Sequence, residues 1–349
     1  MSERPHLVLV GGFLGAGKTT LILAAARELA SRGLRSAAVL NDQGDDLIDT
    51  QHVRTHGIDA REVTGGCFCC RFSDLVDRAE ELRAYSPDVI FAEPVGSCTD
   101  ISSTTLKPLA RDYGDHFRLA PFTVLVDPER ARALLDPGAD EDLAFLFRKQ
   151  LEEADLICLT KSDLHAGAPA LPYPNIRQLS AKSGQGVAAW LDETLDGRLA
   201  VGAKTLDIDY GEYARAETAL AWMNLTFVYD PEQPMSAPMV VGPLLDGIDS
   251  RMTAMGIAIV HLKITDESAA GFLKAAICAN GADPTIDGAL DASPATLHEI
   301  RLNLRAKGSP DDVELLVEDE LRRLPGTIRE QRMACFRPGA PVRPAHAVR

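Results

Sequence analysis

Residues 7–20 read LVLVGGFLGAGKTT. A short apolar run empties into two glycines, and Gly12 to Thr19 follow the spacing G-x-x-x-x-G-K-[ST]. Thr19 to Arg32 then carries Leu21, Leu23, Ala24 and Leu29 on a helical pattern, with Arg27 and Arg32 near its end and Gly33 as its stop. Strand, glycine loop and helix in this order predict a phosphate cradle. Gly12, Gly15, Ala16 and Gly17 let backbone N–H groups converge on phosphate oxygens, and the positive helix end adds to them. Lys18 is placed to neutralise β/γ-phosphate charge. The Thr19 hydroxyl, followed by Thr20, is placed to face Mg²⁺.

The alternation continues outward from this unit. Strands are expected at 36–41, 60–64, 88–93, 122–127 and 155–160, with helices at 72–85 and 186–195. This predicts an α/β P-loop NTPase fold, a mostly parallel sheet flanked by helices, over residues 1–200. Residues 201–218 are polar and read as a linker. Residues 219–337 read as a smaller C-terminal α+β domain. Its strands are expected at 220–230, 257–266, 295–306 and 327–336. Its helices are expected at 238–252, starting late because of Gly242 and Pro243, at 268–280, and at 309–324. Residues 338–349 read as a mobile tail.

Composition narrows the function classes. The chain has 349 residues, too many for one core of usual size. Its net charge of −15 repels a phosphate backbone, so nucleic acid is excluded as a general partner. No window reaches the ~18 uninterrupted apolar residues of a membrane span, so no membrane partner is expected. MSERPHLVLV reads as a first strand and not as a targeting segment, which places the protein in the cytoplasm. There, seven cysteines are expected as ligands, redox groups or core residues before structural disulfides.

Strand ends are the places to look for ligands in an open α/β sheet. The strand 155–160 runs into Thr160-Lys161-Ser162-Asp163. Asp163 can accept from the N1–H and amino group of guanine, which adenine lacks, and the Lys161 stem can lie along the base. Ser180-Ala181-Lys182 can bring a backbone N–H to the guanine oxygen. Together they favour GTP over ATP. The strand 88–93 ends in Glu93-Pro94-Val95-Gly96, where Glu93 suits Mg²⁺ or the attacking water and Gly96 the γ-phosphate. The strand 36–41 ends in Asn41-Asp42-Gln43-Gly44-Asp45-Asp46, an acidic segment suited to Mg²⁺ and switching. Lys18, Asp42 and Glu93 are therefore the catalytic candidates, with Thr19, Asp42 and Glu93 on Mg²⁺.

A second glycine pair opens Gly65-Gly66-Cys67-Phe68-Cys69-Cys70. Cys67, Cys69 and Cys70 place three thiols within four residues, and Zn²⁺ or a similar ion suits thiolates. A redox pair or buried small residues are the other readings of this stretch. Cys98, two residues past Gly96, is either a further ligand or a buried thiol. Cys158 reads as core.

GGFLGAGKTTL, NDQG, GGCFCC, ExxG and TKSD, in this order, resemble the CobW-like family of metal-handling P-loop GTPases, relatives of the nickel-insertion GTPases of hydrogenase and urease maturation. The likeness covers residues 5 to about 195. It implies a metallochaperone that hydrolyses GTP, uses Mg²⁺, binds Zn²⁺ or Co²⁺ through Cys67, Cys69 and Cys70, and passes the ion to a client metalloprotein; it also allows a homodimer. The chain departs from the family in NDQG for the usual N-E-x-G, in Pro94-Val95-Gly96-Ser97-Cys98 for T-[ST]-G, and in lacking the His-rich loop of many members. A GTP-dependent zinc or redox sensor acting by partner binding is the alternative function. A small-molecule kinase is the third.

Overall fold

The structure, a computed structural model, describes residues 4–42, 48–164, 169 and 171–348. Gln43, Gly44, Asp45 and Asp46 of the expected switch segment lie outside them. The chain divides into two compact units, Met1–Glu217 with Ala340–Arg349, and Thr218–Gly339.

The first unit alternates β1 (His6–Gly12), α1 (Lys18–Ser31), β2 (Ser36–Asn41), α2 (Ile48–Thr55), β3 (Asp59–Val63), α3 (Phe72–Arg83) and β4 (Val89–Glu93). A π-helical turn, Ser102–Leu106, leads into α4 (Lys107–Tyr113). Then come β5 (Arg118–Leu119), β6 (Thr123–Val126), α5 (Pro128–Leu134), α6 (Glu141–Glu153), β7 (Leu156–Leu159), β8 (Ile176–Gln178), α7 (Val187–Leu195) and α8 (Tyr210–Thr218). The strands order as β3-β2-β4-β1-β6-β7-β8, with β5 also on β1, and every pair is parallel. Both faces carry helices, which is why Leu7, Val8, Leu9 and Val10 are all fully buried. The sheet grows to one side of β1 through β4, β2 and β3, and to the other through β6, β7 and β8. The crevice beyond the carboxyl end of β1 is thus the topological switch point where α/β folds bind ligands.

The second unit is an antiparallel sheet ordered β12-β11-β10-β13-β9-β14, with strands β9 (Leu220–Pro231), β10 (Ala258–Ser268), β11 (Gly271–Ile277), β12 (Thr285–Gly288), β13 (His298–Lys307) and β14 (Gly326–Phe336). Helices α9 (Ala237–Ala254) and α10 (Pro310–Leu321) cover one face. Met223, Leu225 and Phe227 of β9 meet Val240, Leu244 and Ile248 of α9 and Val313, Leu316 and Val317 of α10 in one core.

Four expectations are corrected by the structure. The helix expected at 268–280 is the hairpin strand β11, paired from Ser268↔Gly271 to Leu262↔Ile277. Its alanine-rich sequence satisfies both periods, and Leu273, Ala275 and Ile277 enter the core at a period of two. Helix α9 starts at Ala237, before the expected Gly242-Pro243 boundary, and Pro243 lies inside it. The carbonyl that Pro243 cannot serve belongs to Met239, an exposed residue of the first turn. Residues 210–218, read as linker, form α8, which buries Tyr213 and Glu217. The end of the chain, read as a mobile tail, returns to the first unit, where Val348 N donates to Ser103 O at 2.9 Å and the His346 ring stacks on Phe72 at 4.8 Å.

Candidate functional site

A parallel sheet sends every strand's carboxyl end to the same edge. Read across that edge, the first unit presents the cysteine turn after β3, Asn41 and Asp42 after β2, Glu93 at the end of β4, the glycine loop after β1, Asp127 after β6, Thr160-Lys161 after β7 and Ser180 after β8. The residues singled out in the sequence therefore stand in one row, with the thiols at one end and the base-recognition candidates at the other.

The glycine loop is shaped by backbone that only glycine accepts easily. Gly12, Gly15 and Gly17 have φ of 134°, 80° and 92°. A Cβ on Gly12 would also lie 2.5 Å from Leu125 O. Lys18 and Thr19 are buried at the start of α1. Lys18 Nζ donates to Gly12 O at 3.0 Å and lies 4.0 Å from Glu93 Oε1. The Thr19 hydroxyl donates to Glu93 Oε2 at 2.9 Å. Lysine, threonine and glutamate thus form one buried cluster, with the ammonium held on local oxygens. A carboxylate and a hydroxyl side by side at the switch point are oxygen donors of the kind Mg²⁺ takes. Gly96 packs beside this cluster, where a Cβ would come 3.0 Å from Lys18 Nζ and 2.8 Å from Leu14 Cδ2. Asp42 follows β2, whose Leu40 is in register with Glu93, and its N–H donates to Val63 O at 3.2 Å. Thr20 is exposed on the next position of α1.

At the other end, the Thr160 hydroxyl donates to Ala16 O at 3.0 Å and Val126 O at 3.3 Å. Thr160 thereby ties its own loop to the glycine loop, a positioning role that needs a donor and not an amide. Lys161, at φ 54°, sets its ammonium 2.5 Å from Asp127 Oδ2. Burial pushes the Asp127 carboxyl up, but Lys161 and the N–H groups of Glu129 and Arg130 outweigh it and hold it below its usual range. Ser162 N donates to Leu179 O at 3.3 Å, which brings the turn carrying exposed Asp163 beside Ser180, Ala181 and Lys182. Ser180 is buried and its Oγ accepts from Ser183 N, closing that turn.

The cysteine turn is built by long-range contacts. Cys67 O accepts from Cys70 N at 3.0 Å and Arg71 N at 2.9 Å, so the chain curls into α3. Asn41 fastens this curl to β2. Its Nδ2 donates to Val63 O at 2.9 Å and Gly66 O at 2.7 Å, and its Oδ1 accepts from Phe68 N at 2.9 Å. The Sγ atoms of Cys67, Cys69 and Cys70 all lie within 4.8 Å of one another, and Cys69 and Cys70 are 3.8 Å apart. Thiolates at about 2.3 Å from a tetrahedral Zn²⁺ are themselves about 3.8 Å apart, so the three fit that ion. Cys67 and Cys69 are buried and Cys70 is exposed, which leaves the ion a way in.

The thiols are already polarised. Hydrogen bonds from Cys69, Cys70 and Cys98 pull the Cys67 thiol well below its usual range. The bond to Cys67 pushes Cys69 well up and Cys70 up to about 11. Burial, then Cys67, raises Cys98. Cys158 is buried in β7, in the core.

Four residues here were not identified as functional from the sequence. Asn41 was quoted only as the neighbour of an acid, although its place in NDQG was a signal. Gln150 of α6 donates from Nε2 to Gly96 O at 3.0 Å and Cys98 O at 2.9 Å. On α8, Glu217 Oε1 accepts from Ser97 Oγ at 2.7 Å, and the Tyr213 hydroxyl accepts from Thr99 N at 3.2 Å. The last three come from helices far away in sequence and carry no local signal.

The profile of the CobW/HypB/UreG nucleotide-binding domain matches residues 6–177. The zinc chaperone YjiA of Escherichia coli is 28% identical over 183 residues, 51% of this chain and 55% of its own length. The zinc chaperone YeiR of the same organism is 33% identical over 161 residues, 44% of this chain and 46% of its own. The chain spans about half the length of the curated relatives it matches. HypB from Helicobacter pylori, solved in complex with nickel, aligns with a TM-score of 0.43 and 16% identity over 58% of this chain and 92% of its own.

Proposed function

We infer, from residues 6–177 that belong to the CobW/HypB/UreG nucleotide-binding family, that this chain is a cytoplasmic GTP-hydrolysing metallochaperone that binds Zn²⁺ or Co²⁺ as cargo and passes it to a client metalloprotein. The observation that carries this reading is the convergence of three thiols on the same sheet edge as the phosphate loop.

The residues divide the work. The loop amides of Gly15 to Lys18 and the start of α1 take the phosphates. Lys18 exchanges Gly12 O and Glu93 for the β- and γ-oxygens and offsets the charge that moves onto them as the bond to the γ-phosphorus breaks. Asp163 accepts from guanine while the Lys161 stem, steadied by Asp127, lies against the base. Thr19, Asp42 and Glu93 are the residues that would hold Mg²⁺, and the ion would supply charge neutralisation on the phosphate oxygens. Glu93 also orients the attacking water, and Gly96 offers its N–H to the γ-phosphate. Cys67, Cys69 and Cys70 hold the cargo.

A nucleotide and metal titration of the purified chain tests this. GTP is expected to bind far more tightly than ATP and to be hydrolysed to GDP and phosphate. One Zn²⁺ is expected per chain, lost in Cys67→Ser/Cys69→Ser. Equal affinity for the two nucleotides, or full zinc stoichiometry in the double variant, refutes the reading.

A further inference from the structure

Residues 338–348 read PGAPVRPAHAV, with prolines at 338, 341 and 344. A spacing of three is the period of a polyproline II helix, so in that form the three rings share one face. Burial follows the same period. Pro338 and Pro341 are buried and Pro344 is half-buried, while Gly339, Ala340, Val342, Arg343 and Ala345 are exposed. Beyond Pro344 the chain turns, with Ala347 N donating to Pro344 O at 3.1 Å. The turn lays the His346 ring on Phe72 at 4.8 Å, and Phe72 meets the Tyr113 ring edge-on at 6.2 Å.

The surface that receives this segment has a built-in need for donors. Ser103 and Thr104 are buried in the π-helical turn. In an α-helix Ser103 O would accept from Lys107 N, but the wider register gives that N–H to Ser102 O. The next nitrogen in line belongs to Pro108 and carries no hydrogen, and the α-helical partner of Thr104 O is the same proline. Two buried carbonyls are thereby left to find donors outside the helix. Residues 346–348 supply both. Val348 N donates to Ser103 O at 2.9 Å, and His346 Nε2 lies 3.0 Å from Thr104 O. A carbonyl only accepts, so Nε2 carries the hydrogen.

We propose that Phe72, Tyr113 and the carbonyls of Ser103 and Thr104 form a docking groove for a proline-rich segment, and that the chain's own residues 341–348 plug it in cis. Aromatic rings beside hydrogen-bonding groups are how proline-rich segments are recognised, because a preformed chain loses little entropy on docking. The plug is detachable. The chain leaves the first unit after Glu217 and re-enters it at Ala340, so no sequence neighbour joins the plug to its groove. It is held instead by a ring stack, two hydrogen bonds and its proline face. While seated, it closes the groove to other segments of the same chemistry and caps the π-helical turn in which the loop after β4 ends. None of these contacts involves the thiols or the phosphate loop, so the plug stands apart from the metallochaperone reading.

Hydrogen exchange of the full chain is the first test. In wild type the amides of residues 340–348 should exchange about tenfold or more slower than in a synthetic peptide of residues 337–348, the worth of one or two net hydrogen bonds. Val348→Pro deletes one N–H, and His346→Phe keeps a ring but loses its donor. Each should speed exchange of the segment by about fivefold. Val342→Ser, at an exposed position, should match wild type. The second test adds the labelled peptide to the chain. A cis plug competes at an effective concentration of about a millimolar, so wild type should bind the peptide about tenfold or more weakly than His346→Ala/Val348→Pro, whose groove residues are untouched. Phe72→Ala in that background should abolish the binding. Wild-type exchange as fast as the free peptide overturns the docking. Protection that rises with chain concentration assigns the groove to a second copy and overturns the cis plug. Equal peptide affinity for wild type and the double variant overturns it too.

Discussion

Two turns in this molecule begin with a glycine pair and lead from a strand into a helix. GGFLGAGKTT joins β1 to α1, and GGCFCC with Arg71 joins β3 to α3. The first presents backbone: N–H groups, a helix end, and one lysine folded back on Gly12 O. Its ligand is large, charged and diffuse, so many weak donors suit it. The second presents side chains, three sulfurs within 4.8 Å, for a ligand that is small and soft. The first turn is shaped mainly by its own glycines, with Thr160 bonding Ala16 O. The second is fastened from outside, by Asn41 of β2. A phosphate loop can be written into ten consecutive residues, whereas this cysteine turn is fastened across two strand ends.

That difference can be broken by substitution. Lys18→Ala should lower the GTP hydrolysis rate by about a hundredfold or more, since the charge developing on the phosphate loses its main partner. Zinc affinity of the nucleotide-free chain should not change. Phosphate release and zinc competition assays check the two halves. The reverse experiment, Cys67→Ser/Cys69→Ser, should weaken zinc by about a hundredfold and leave GTP affinity of the metal-free chain as it was. A loss of nucleotide binding there would show that the two turns are one folding unit and not two coupled sites.

Asn41→Ala sharpens the contrast, because Asn41 touches no ligand. Three hydrogen bonds to the cysteine turn disappear, and zinc affinity should drop by about tenfold, the lower range for residues that orient ligands. Asn41→Asp keeps the acceptor for Phe68 N and loses the two donations. It should lie between wild type and Asn41→Ala if the clamp, and not bulk, sets the turn.

The smallest expected effect concerns Glu153, which accepts from the Thr99 hydroxyl and Ser102 N in the loop after β4. Burial pushes the Glu153 carboxyl up to about 8, while Ser102 N and the Thr99 hydroxyl pull the other way. Its folded pKa is raised above the usual carboxylate value, so the native state holds the extra proton. Stability from this group is complete below the unfolded pKa, near 4.5, and declines as pH rises toward about 8. Glu153→Gln, which stays neutral, should raise Tm by a few degrees at pH 8 and leave it unchanged at pH 4. A thermal melt at both values decides it, and equal shifts at both would assign the effect to packing.

The same contrast explains what was legible in the sequence. The first unit's strands, its phosphate loop and the cysteine triplet were readable because each rests on local spacing. The hairpin strand β11 was misread because its alanines fit either period, and only pairing with β10 chose. Helix α8 was taken for a linker because its polar sequence hides the three residues, Tyr213, Ala216 and Glu217, that it buries. The clamp by Gln150 is beyond any local reading, since its partners are more than fifty residues away.

The central claim is that nucleotide and metal sites on one sheet edge read each other. It is tested most directly by measuring zinc affinity of the wild-type chain with GDP and with a non-hydrolysable GTP analogue, and the affinity of each nucleotide with and without zinc. Linkage requires the two ratios to agree, and a coupled device of this kind should give a factor of roughly 5–150. One zinc affinity shared by the GTP-analogue, GDP and empty forms would contradict the claim and leave the row of sites as two neighbours without a connection.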